Sequence, residues 1–271
     1  MKPLFQLFSR WPLPLLHFAG AGLGWLTFAC SPTYRRRFLE NARQAGYAFA
    51  QVRRAVSEAG KLLAETPRLW FGRPAPVQWD GAERIEALRA QGRGIVFLTP
   101  HLGCFEVTAQ AYAARFGRIT VLYRPARSIW RTPASVVGTA SMFSRLREFA
   151  TRSRSHSLRA GEAVGLLPDQ VPPHGLGVWA PFFGRDAYTM TLPARLAQQT
   201  GAALLLAWGE RLPRGRGYVV HLQPWEGELP RDPLQAAAQV NAAMERLVRA
   251  GAQQYLWGYA RYKKPREEQP A

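Results

Sequence analysis

The stretch Thr99–Glu106, TPHLGCFE, contains two residues whose types could carry acid–base chemistry. His101 and Glu106 lie five positions apart, directly after an apolar run, GIVFL, at residues 94–98. A histidine beside a carboxylate can remove a proton from a hydroxyl, because the carboxylate stabilises the imidazolium that forms. The two residues are therefore candidates for a catalytic pair. The alternative is a histidine at an ordinary strand end and a glutamate that favours the positive end of the next helix.

The residues between the two decide whether they can meet. On one continuous helix, side chains five positions apart are separated by about 140° and do not touch. Pro100 disfavours helix before it, and Gly103 permits a sharp turn, so we expect His101 on the turn and Glu106 in the first helical turn. No GxSxG motif occurs, and Cys104 has no second histidine beside it. The base would therefore act on a substrate hydroxyl rather than on a nucleophile of the protein.

Length and composition indicate one α/β domain, since 271 residues with 47% apolar content can bury a sizeable core. The net charge of +18 attracts anionic partners such as phospholipid headgroups, nucleic acid or an acidic protein. Nucleic acid is disfavoured, because the sequence contains no zinc-finger spacing, RNP-type strand or basic-region heptads. Two cysteines, Cys30 and Cys104, cannot form a disulfide framework or a four-ligand metal site, which is typical of a reducing compartment.

The amino end predicts a membrane anchor within residues 1–31. Residues 12–30 contain no Asp, Glu, Lys or Arg, and as a helix they would span roughly 28 Å, close to the bilayer core of about 30 Å. The basic cluster Arg35–Arg37 follows and favours a cytoplasmic carboxyl side. A helix lying in the membrane interface and a cleaved signal peptide are the alternatives. The small residues in Gly20–Gly24 favour close approach of another helix over a dinucleotide loop.

The remaining residues, 32–271, predict a mixed, largely parallel sheet flanked by helices. Apolar residues recur every three or four positions over residues 33–64, which predicts one amphipathic helix. Strands and helices then alternate, which is typical of an α/β fold. Residues 128–157 have no strong period, so a loop, a partial helix and a flap all stay open. The predicted strands are 76–79, 94–98, 119–123, 163–167, 177–182, 202–208 and 217–223, and the predicted helices are 82–91, 103–116, 191–201 and 232–249.

Several blocks give a more specific signal. TPHLGCFE resembles the His-(x)4-Asp/Glu motif of glycerolipid-type acyltransferases, and further blocks follow in the order seen in the late, lauroyl/myristoyl-type lipid A biosynthesis acyltransferases. These blocks are VLYRPAR (121–127), GEAVGLLPDQ (161–170), PFFGRDAYTMTLPARLA (181–197) and QYLWGYARYKK (254–264). The resemblance runs from the anchor almost to the end of the chain and implies a glycerolipid acyltransferase-like fold.

The resemblance also implies roles for single residues. His101 resembles the general base of the family, Glu106 its orienting carboxylate, and Asp169 an acidic residue near the active site. Arg124 would hold a phosphate or the charge that develops on the acyl carbonyl. Phe183 and Gly184 match the FFG of the family and would contribute to substrate binding, although core packing is the alternative. The family has a further arginine that should fall near residues 138–139, where this chain has Gly and Thr, so Arg131 and Arg145 are candidate substitutes.

The function that this resemblance implies is transfer of a fatty acyl group from acyl carrier protein to a hydroxyl of a lipid A precursor. The site would lie at the cytoplasmic face of the inner membrane, in contact with anionic lipid, and would need no metal or cofactor. Alternatives are an acyltransferase for another lysophospholipid or glycolipid, a catalytically impaired lipid-binding homologue, and a hydrolase of membrane esters or thioesters.

Overall fold

A computed structural model describes residues 2–121 and 151–265. It confirms the predicted α/β architecture, in which helices flank a central six-stranded sheet. The α-helices are α1 Lys2–Ser9, α2 Leu13–Cys30, α3 Pro32–Gln44, α4 Phe49–Val52, α5 Arg54–Phe71, α6 Ala82–Ala90, α7 Phe105–Phe116, α8 Thr151–Arg159, α9 Leu192–Thr200 and α10 Pro233–Ala250. The strands are β1 Val77–Asp80, β2 Ile95–Leu98, β3 Ile119–Val121, β4 Ala163–Leu166, β5 Gly177–Phe182, β6 Arg185–Met190, β7 Ala203–Arg211 and β8 Tyr218–Pro224.

The sheet has the strand order β1-β8-β7-β2-β4-β3. Its pairings are parallel except for β7 with β8, which are antiparallel. The strands β2 and β4 are buried along their whole length, as expected of parallel strands covered on both faces. Strands β5 and β6 form a separate hairpin that the periodicity of the sequence predicts only in part, since β6 lies in a stretch without a predicted strand.

The long helix predicted over residues 33–64 is wrong as a continuous element. The structure ends α3 at Gln44 and starts α4 at Phe49, and the next helix begins at Arg54. Gly46 has a φ of 86°, and the Tyr47 N–H bonds to the Ala42 carbonyl while the Gly46 N–H bonds to the Arg43 carbonyl. These bonds terminate a helix in the way a left-handed glycine does. The apolar stripe continues across the break, which is why periodicity alone does not detect it.

Helix α2 packs so closely along α5 that the backbones of the two helices are in contact. A Cβ added to Gly24 would overlap the carbonyl of Val56, and a Cβ added to Gly60 would overlap the carbonyl of Gly20. Only glycine allows this approach, so the small residues of α2 serve a helix–helix contact as the sequence predicts. The imidazole of His17 is also buried in this interface, where it bonds to Glu65 of α5.

In the described part of the chain, α2 is the one helix long and apolar enough to cross a membrane, judged by length and composition. Its mean hydropathy is 1.4, and its buried residues Leu13, Leu16, His17, Gly20 and Gly24 face the rest of the protein. Leu15, Phe18 and Leu26 are exposed on the helix surface. The division at residue 31 between an anchor and a following domain stays a prediction, and the two parts share a packed interface.

The α2–α5 contact can be tested with a matched pair of glycine substitutions. Gly24→Ala should lower the thermal stability of the detergent-solubilised protein by about 1–3 kcal/mol, because the added methyl group pushes the two helices apart. Gly22→Ala is the control, since a Cβ at Gly22 meets nothing within 4 Å and the gain in helix propensity is the same. Equal melting temperatures for the two variants would contradict the close helix contact.

Candidate active site

His101 and Asp169 meet at the carboxyl ends of two neighbouring parallel strands. Leu98, the last residue of β2, is in register with Leu166, the last residue of β4. Each polar residue follows its strand end by three positions, so the sheet delivers both to the same edge. The Thr99 N–H donates to the Leu166 carbonyl at 3.0 Å and extends the ladder toward the site.

Two hydrogen bonds fix the histidine on the aspartate. The backbone N–H of His101 donates to Asp169 Oδ2 at 2.9 Å, and His101 Nδ1 lies 2.9 Å from Asp169 Oδ1. A carboxylate can only accept, so the proton sits on Nδ1 and the neutral imidazole has Nε2 as its base. The Asp169 side chain is fully buried, while the His101 side chain is 12% exposed. The pair therefore has a sheltered carboxylate and a histidine that substrate can reach.

Asp169 is held in its ionised form. Burial alone would raise the pKa of this carboxyl, but its electrostatic interaction with His101 and the two hydrogen bonds from that residue outweigh burial and lower the pKa. The hydroxyl of Tyr255 is a third donor to the carboxylate and bonds to Oδ2 at 3.3 Å. Arg261, which is 2% exposed, contributes a further positive charge that lowers the pKa of Asp169. Asp169 is thus a carboxylate able to orient an imidazole.

The closing block of the sequence, residues 254–264, frames the histidine. The ring of Tyr259 stacks on the imidazole, with centroids 4.8 Å apart and planes 18° apart. The carbonyl of His101 accepts the Leu256 N–H at 3.0 Å, and the carbonyl of Gln254 accepts the Gly103 N–H at 3.0 Å. The histidine therefore has a fixed backbone and a fixed ring plane, which acid–base chemistry requires.

The turn after His101 is the one that the sequence predicts. Gly103 has a φ of 59°, and a Cβ there would overlap the Gly209 carbonyl, so only glycine fits. The Cys104 N–H donates to the same Gly209 carbonyl at 2.7 Å, and α7 begins at Phe105. Burial raises the pKa of the Cys104 thiol well above its usual value, which removes it as a nucleophile.

The predicted hydrogen bond between His101 and Glu106 is not found among the described residues. Glu106 lies in the first turn of α7 as predicted, but Nδ1 of His101 is taken by Asp169. Glu106 still interacts electrostatically with His101. Burial raises the pKa of Glu106 to about 7, the charge of His101 opposes the rise, and the charge of Glu65 adds to it. The physical reason for the difference is that adjacent strand ends bring Asp169 nearer than the turn brings Glu106.

Phe183 and Gly184 form the two-residue turn between β5 and β6. Both have positive φ, 48° and 73°, as a tight hairpin turn requires. The Phe183 N–H donates to Glu245 Oε1 at 2.6 Å, and its carbonyl accepts from Gln44 Nε2 at 2.7 Å. No hydrogen bond or ring contact joins either residue to His101 or Asp169 in the described part of the structure. Their predicted role in substrate binding stays a prediction.

Three arginines predicted from the sequence to serve the site are not described by the structure. Arg124, Arg131 and Arg145 lie outside the described residues, so their roles stay predictions from the sequence. Within residues 2–121 and 151–265, no group of three or more His, Cys, Asp or Glu side chains is arranged to hold a metal ion.

Comparison with known proteins identifies the family of the chain. The family model for bacterial lipid A biosynthesis acyltransferases matches residues 5–264. The chain belongs to this family. It is 27% identical to the lipid A biosynthesis lauroyltransferase of Escherichia coli K12, over 96% of this chain and 89% of the relative. It is 25% identical to the palmitoleoyltransferase of the same organism and to a lipid A biosynthesis acyltransferase of Shigella flexneri, in each case over 95% of this chain and 88% of the relative.

Membership of the lipid A biosynthesis acyltransferase family supports acyl transfer to lipid A, and the pair of His101 and Asp169 is suited to that chemistry. An imidazole whose Nδ1 proton is held by a carboxylate can accept a hydroxyl proton at Nε2. Residue types at this spacing make His101 a candidate base, which stays a prediction, and they do not predict that Asp169 is its hydrogen-bond partner. The signal available in the sequence was that each residue follows closely after a predicted buried strand, His101 after residues 94–98 and Asp169 after residues 163–167.

The two carboxylates can be compared by substitution. Asp169→Asn should reduce acyl transfer by about 10⁴-fold, because an amide can donate to Nδ1 and thereby stabilise the wrong tautomer. Glu106→Gln should cost less, since Glu106 acts on His101 through its charge alone. The measurement is the initial rate with purified, detergent-solubilised variants whose folding is verified by circular dichroism.

His101→Asn supplies the reference for complete loss of the base. An Asp169→Asn variant that keeps more activity than Glu106→Gln would contradict the assignment of Asp169 as the orienting carboxylate. It would return that role to Glu106.

Proposed function

We propose that this protein transfers a fatty acyl group from acyl carrier protein to a hydroxyl of a lipid A precursor, with His101 as general base. The observation that carries the proposal is the hydrogen-bonded pair of His101 and Asp169 at the carboxyl edge of the parallel strands. Membership of the lipid A biosynthesis acyltransferase family supports the acceptor class, and the similarity to a lauroyltransferase and a palmitoleoyltransferase supports a fatty acyl group.

The reaction follows from the tautomer of the histidine. Nε2 of His101 accepts the proton of the acceptor hydroxyl as its oxygen attacks the thioester carbonyl. Asp169 stabilises the imidazolium that forms, and Glu106 adds a second negative charge when it is ionised. The tetrahedral intermediate then collapses, the carbon–sulfur bond breaks, and the thiol leaves with the proton from the imidazolium. Arg124 stays our candidate, from the sequence, for stabilising the negative charge on the intermediate.

The exposed surface supports attachment to a membrane. Apolar side chains of α2 point away from the protein, and the exposed arginines Arg36, Arg43, Arg53 and Arg54 follow its carboxyl end. Apolar residues followed by arginines favour an anionic membrane with the arginines on the cytoplasmic side. The proposal therefore places the site at the cytoplasmic face of the inner membrane, where an acyl carrier protein and a lipid acceptor can both reach it.

The experiment that tests the proposal combines purified full-length protein with an acyl carrier protein thioester and a lipid A precursor in detergent. Mass spectrometry should detect a precursor heavier by one acyl group, and His101→Asn should form none. Failure of the folded wild type to acylate the precursor would overturn the proposed function. Release of free fatty acid instead of a new ester would favour the hydrolase alternative.

Varying the ionic strength tests whether acyl carrier protein is the acyl donor. The charge of +18 should attract an acidic carrier protein, so kcat/KM should fall as ionic strength rises when acyl carrier protein is the donor. An uncharged acyl-pantetheine thioester is the matched control, for which salt should have little effect. The same salt dependence for both donors would contradict electrostatic recognition of the carrier.

The pH dependence of kcat/KM should reflect the ionisation of Glu106. Its pKa is raised to about 7 by burial and by Glu65, and lowered by His101, so the carboxyl ionises as pH rises through neutrality. Because the negative form stabilises the imidazolium, its ionisation should increase kcat/KM above pH 7. Glu106→Gln should lose this contribution to the pH profile. An unchanged profile in that variant would show that Glu106 does not influence the base.

A further inference from the structure

A buried cluster of charged groups connects the amino-terminal helix to the sheet. At its centre is the carboxylate of Glu65 on α5, which has no exposure to solvent. It accepts from His17 Nε2 at 2.8 Å, from Arg211 Nε at 2.8 Å and from the Tyr218 hydroxyl at 2.8 Å. Arg211 Nη2 bonds to the second carboxylate oxygen. Three parts of the chain, α2, β7 and β8, therefore converge on one carboxylate.

Arg211 and His17 keep Glu65 ionised. Burial alone would raise the pKa of Glu65, but Arg211 and His17 reverse the effect and lower the pKa to about 2. Glu65 is therefore an anion that can only accept hydrogen bonds, so His17 carries its proton on Nε2. A buried anion that loses a donor is left partly unsatisfied, and the surrounding groups must rearrange or admit water.

Arg211 links this cluster to the catalytic turn. Its Nη2 lies 3.4 Å from the Gly103 carbonyl, in position to donate to it. Its backbone N–H donates to Gln254 Oε1 at 2.9 Å, and Gln254 Nε2 donates back to the Arg211 carbonyl at 3.1 Å. The Gln254 carbonyl in turn accepts the Gly103 N–H. Gly103, two residues from His101, is thus held on both sides by groups that depend on Arg211.

We propose that His17 is a positioning residue, which holds the catalytic turn in place through Glu65 and Arg211. Helix α2 then has a second role besides attachment to the membrane, and this role rests on the proposed function. A helix needed only for attachment would tolerate an apolar residue at position 17, which would also suit a membrane. A helix that holds the catalytic turn in place requires the N–H donor of His17.

Position 17 offers variants that separate these roles. His17→Leu removes the donor and keeps the helix apolar, whereas His17→Gln keeps an N–H donor able to reach Glu65. Both are compared with Thr27→Val, in which the lost hydroxyl of α2 bonds only to the Leu23 carbonyl of its own helix. All measurements use full-length protein in detergent, where attachment to a membrane does not affect the rate.

The first readout is kinetic. For His17→Leu we expect kcat to fall roughly tenfold or more, because small displacements of a catalytic group carry costs of this order, while KM for the lipid acceptor stays unchanged. His17→Gln and Thr27→Val should stay within about twofold of the wild type. A lower stability alone would not change kcat of the folded enzyme well below its melting temperature. Equal kcat for His17→Leu and the wild type would overturn the proposal.

The second readout does not depend on catalysis. Cys104 is buried beside the cluster, whereas Cys30 is exposed, so a Cys30→Ser background leaves Cys104 as the reporter thiol. Adding His17→Leu should raise its alkylation rate by about tenfold or more, since loss of a hydrogen bond to a charged group favours local opening of the turn. An unchanged rate would count against positioning by His17. An inactive wild type would overturn the proposed function. The alkylation rate of Cys104 would still test whether His17 holds the turn at Gly103 in place.

Discussion

A carboxylate buried without water must be surrounded by donors, and this constraint on Glu65 organises the molecule. Because Glu65 is ionised, the groups that satisfy it have to arrive together from α2, β7 and β8. Buried ion pairs often contribute little net stability, since desolvation offsets their attraction, but removal of one member is costly. The contribution of this cluster is therefore specificity, because it fixes one arrangement of helices on the sheet.

The candidate active site depends on backbone register rather than on a cluster of charges. His101 and Asp169 are brought together by the register of β2 and β4, in which the backbone ladder sets the position of each strand end. Parallel strands end at the same edge of a sheet, so residues distant in sequence become neighbours without any long side chain. In the closing block, residues 254–264, the ring of Tyr259 then packs on His101 and the hydroxyl of Tyr255 bonds to Asp169. The strand ends bring the two candidate residues together, and residues 254–264 restrict the orientation of the imidazole.

The sequence predicts much of this through local signals. The positions of the described strands other than β6, the turn at Gly103 and the end of α9 at Gly201 follow from apolar runs and glycines, and the structure confirms them. The partner of His101 could not be predicted in this way, since it depends on which strands are adjacent. A spacing of five residues favoured Glu106, whereas the order of strands in the sheet favours Asp169. The Glu65 cluster is also absent from local patterns, because His17, Arg211 and Tyr218 lie 48 to 153 residues from Glu65.

The sequence separation within this cluster has a consequence for synthesis of the chain. Helix α2 is made early and can reach the membrane while most of the domain is still being translated, but Arg211 follows Glu65 by 146 residues. Contacts between distant residues form late, because the intervening chain must first be made and ordered. His17 and Glu65 therefore spend most of translation without Arg211. His17 is made long before Arg211 but is among the last groups to be fixed, and a nascent chain stopped before β7 cannot complete the polar contacts of its own helices.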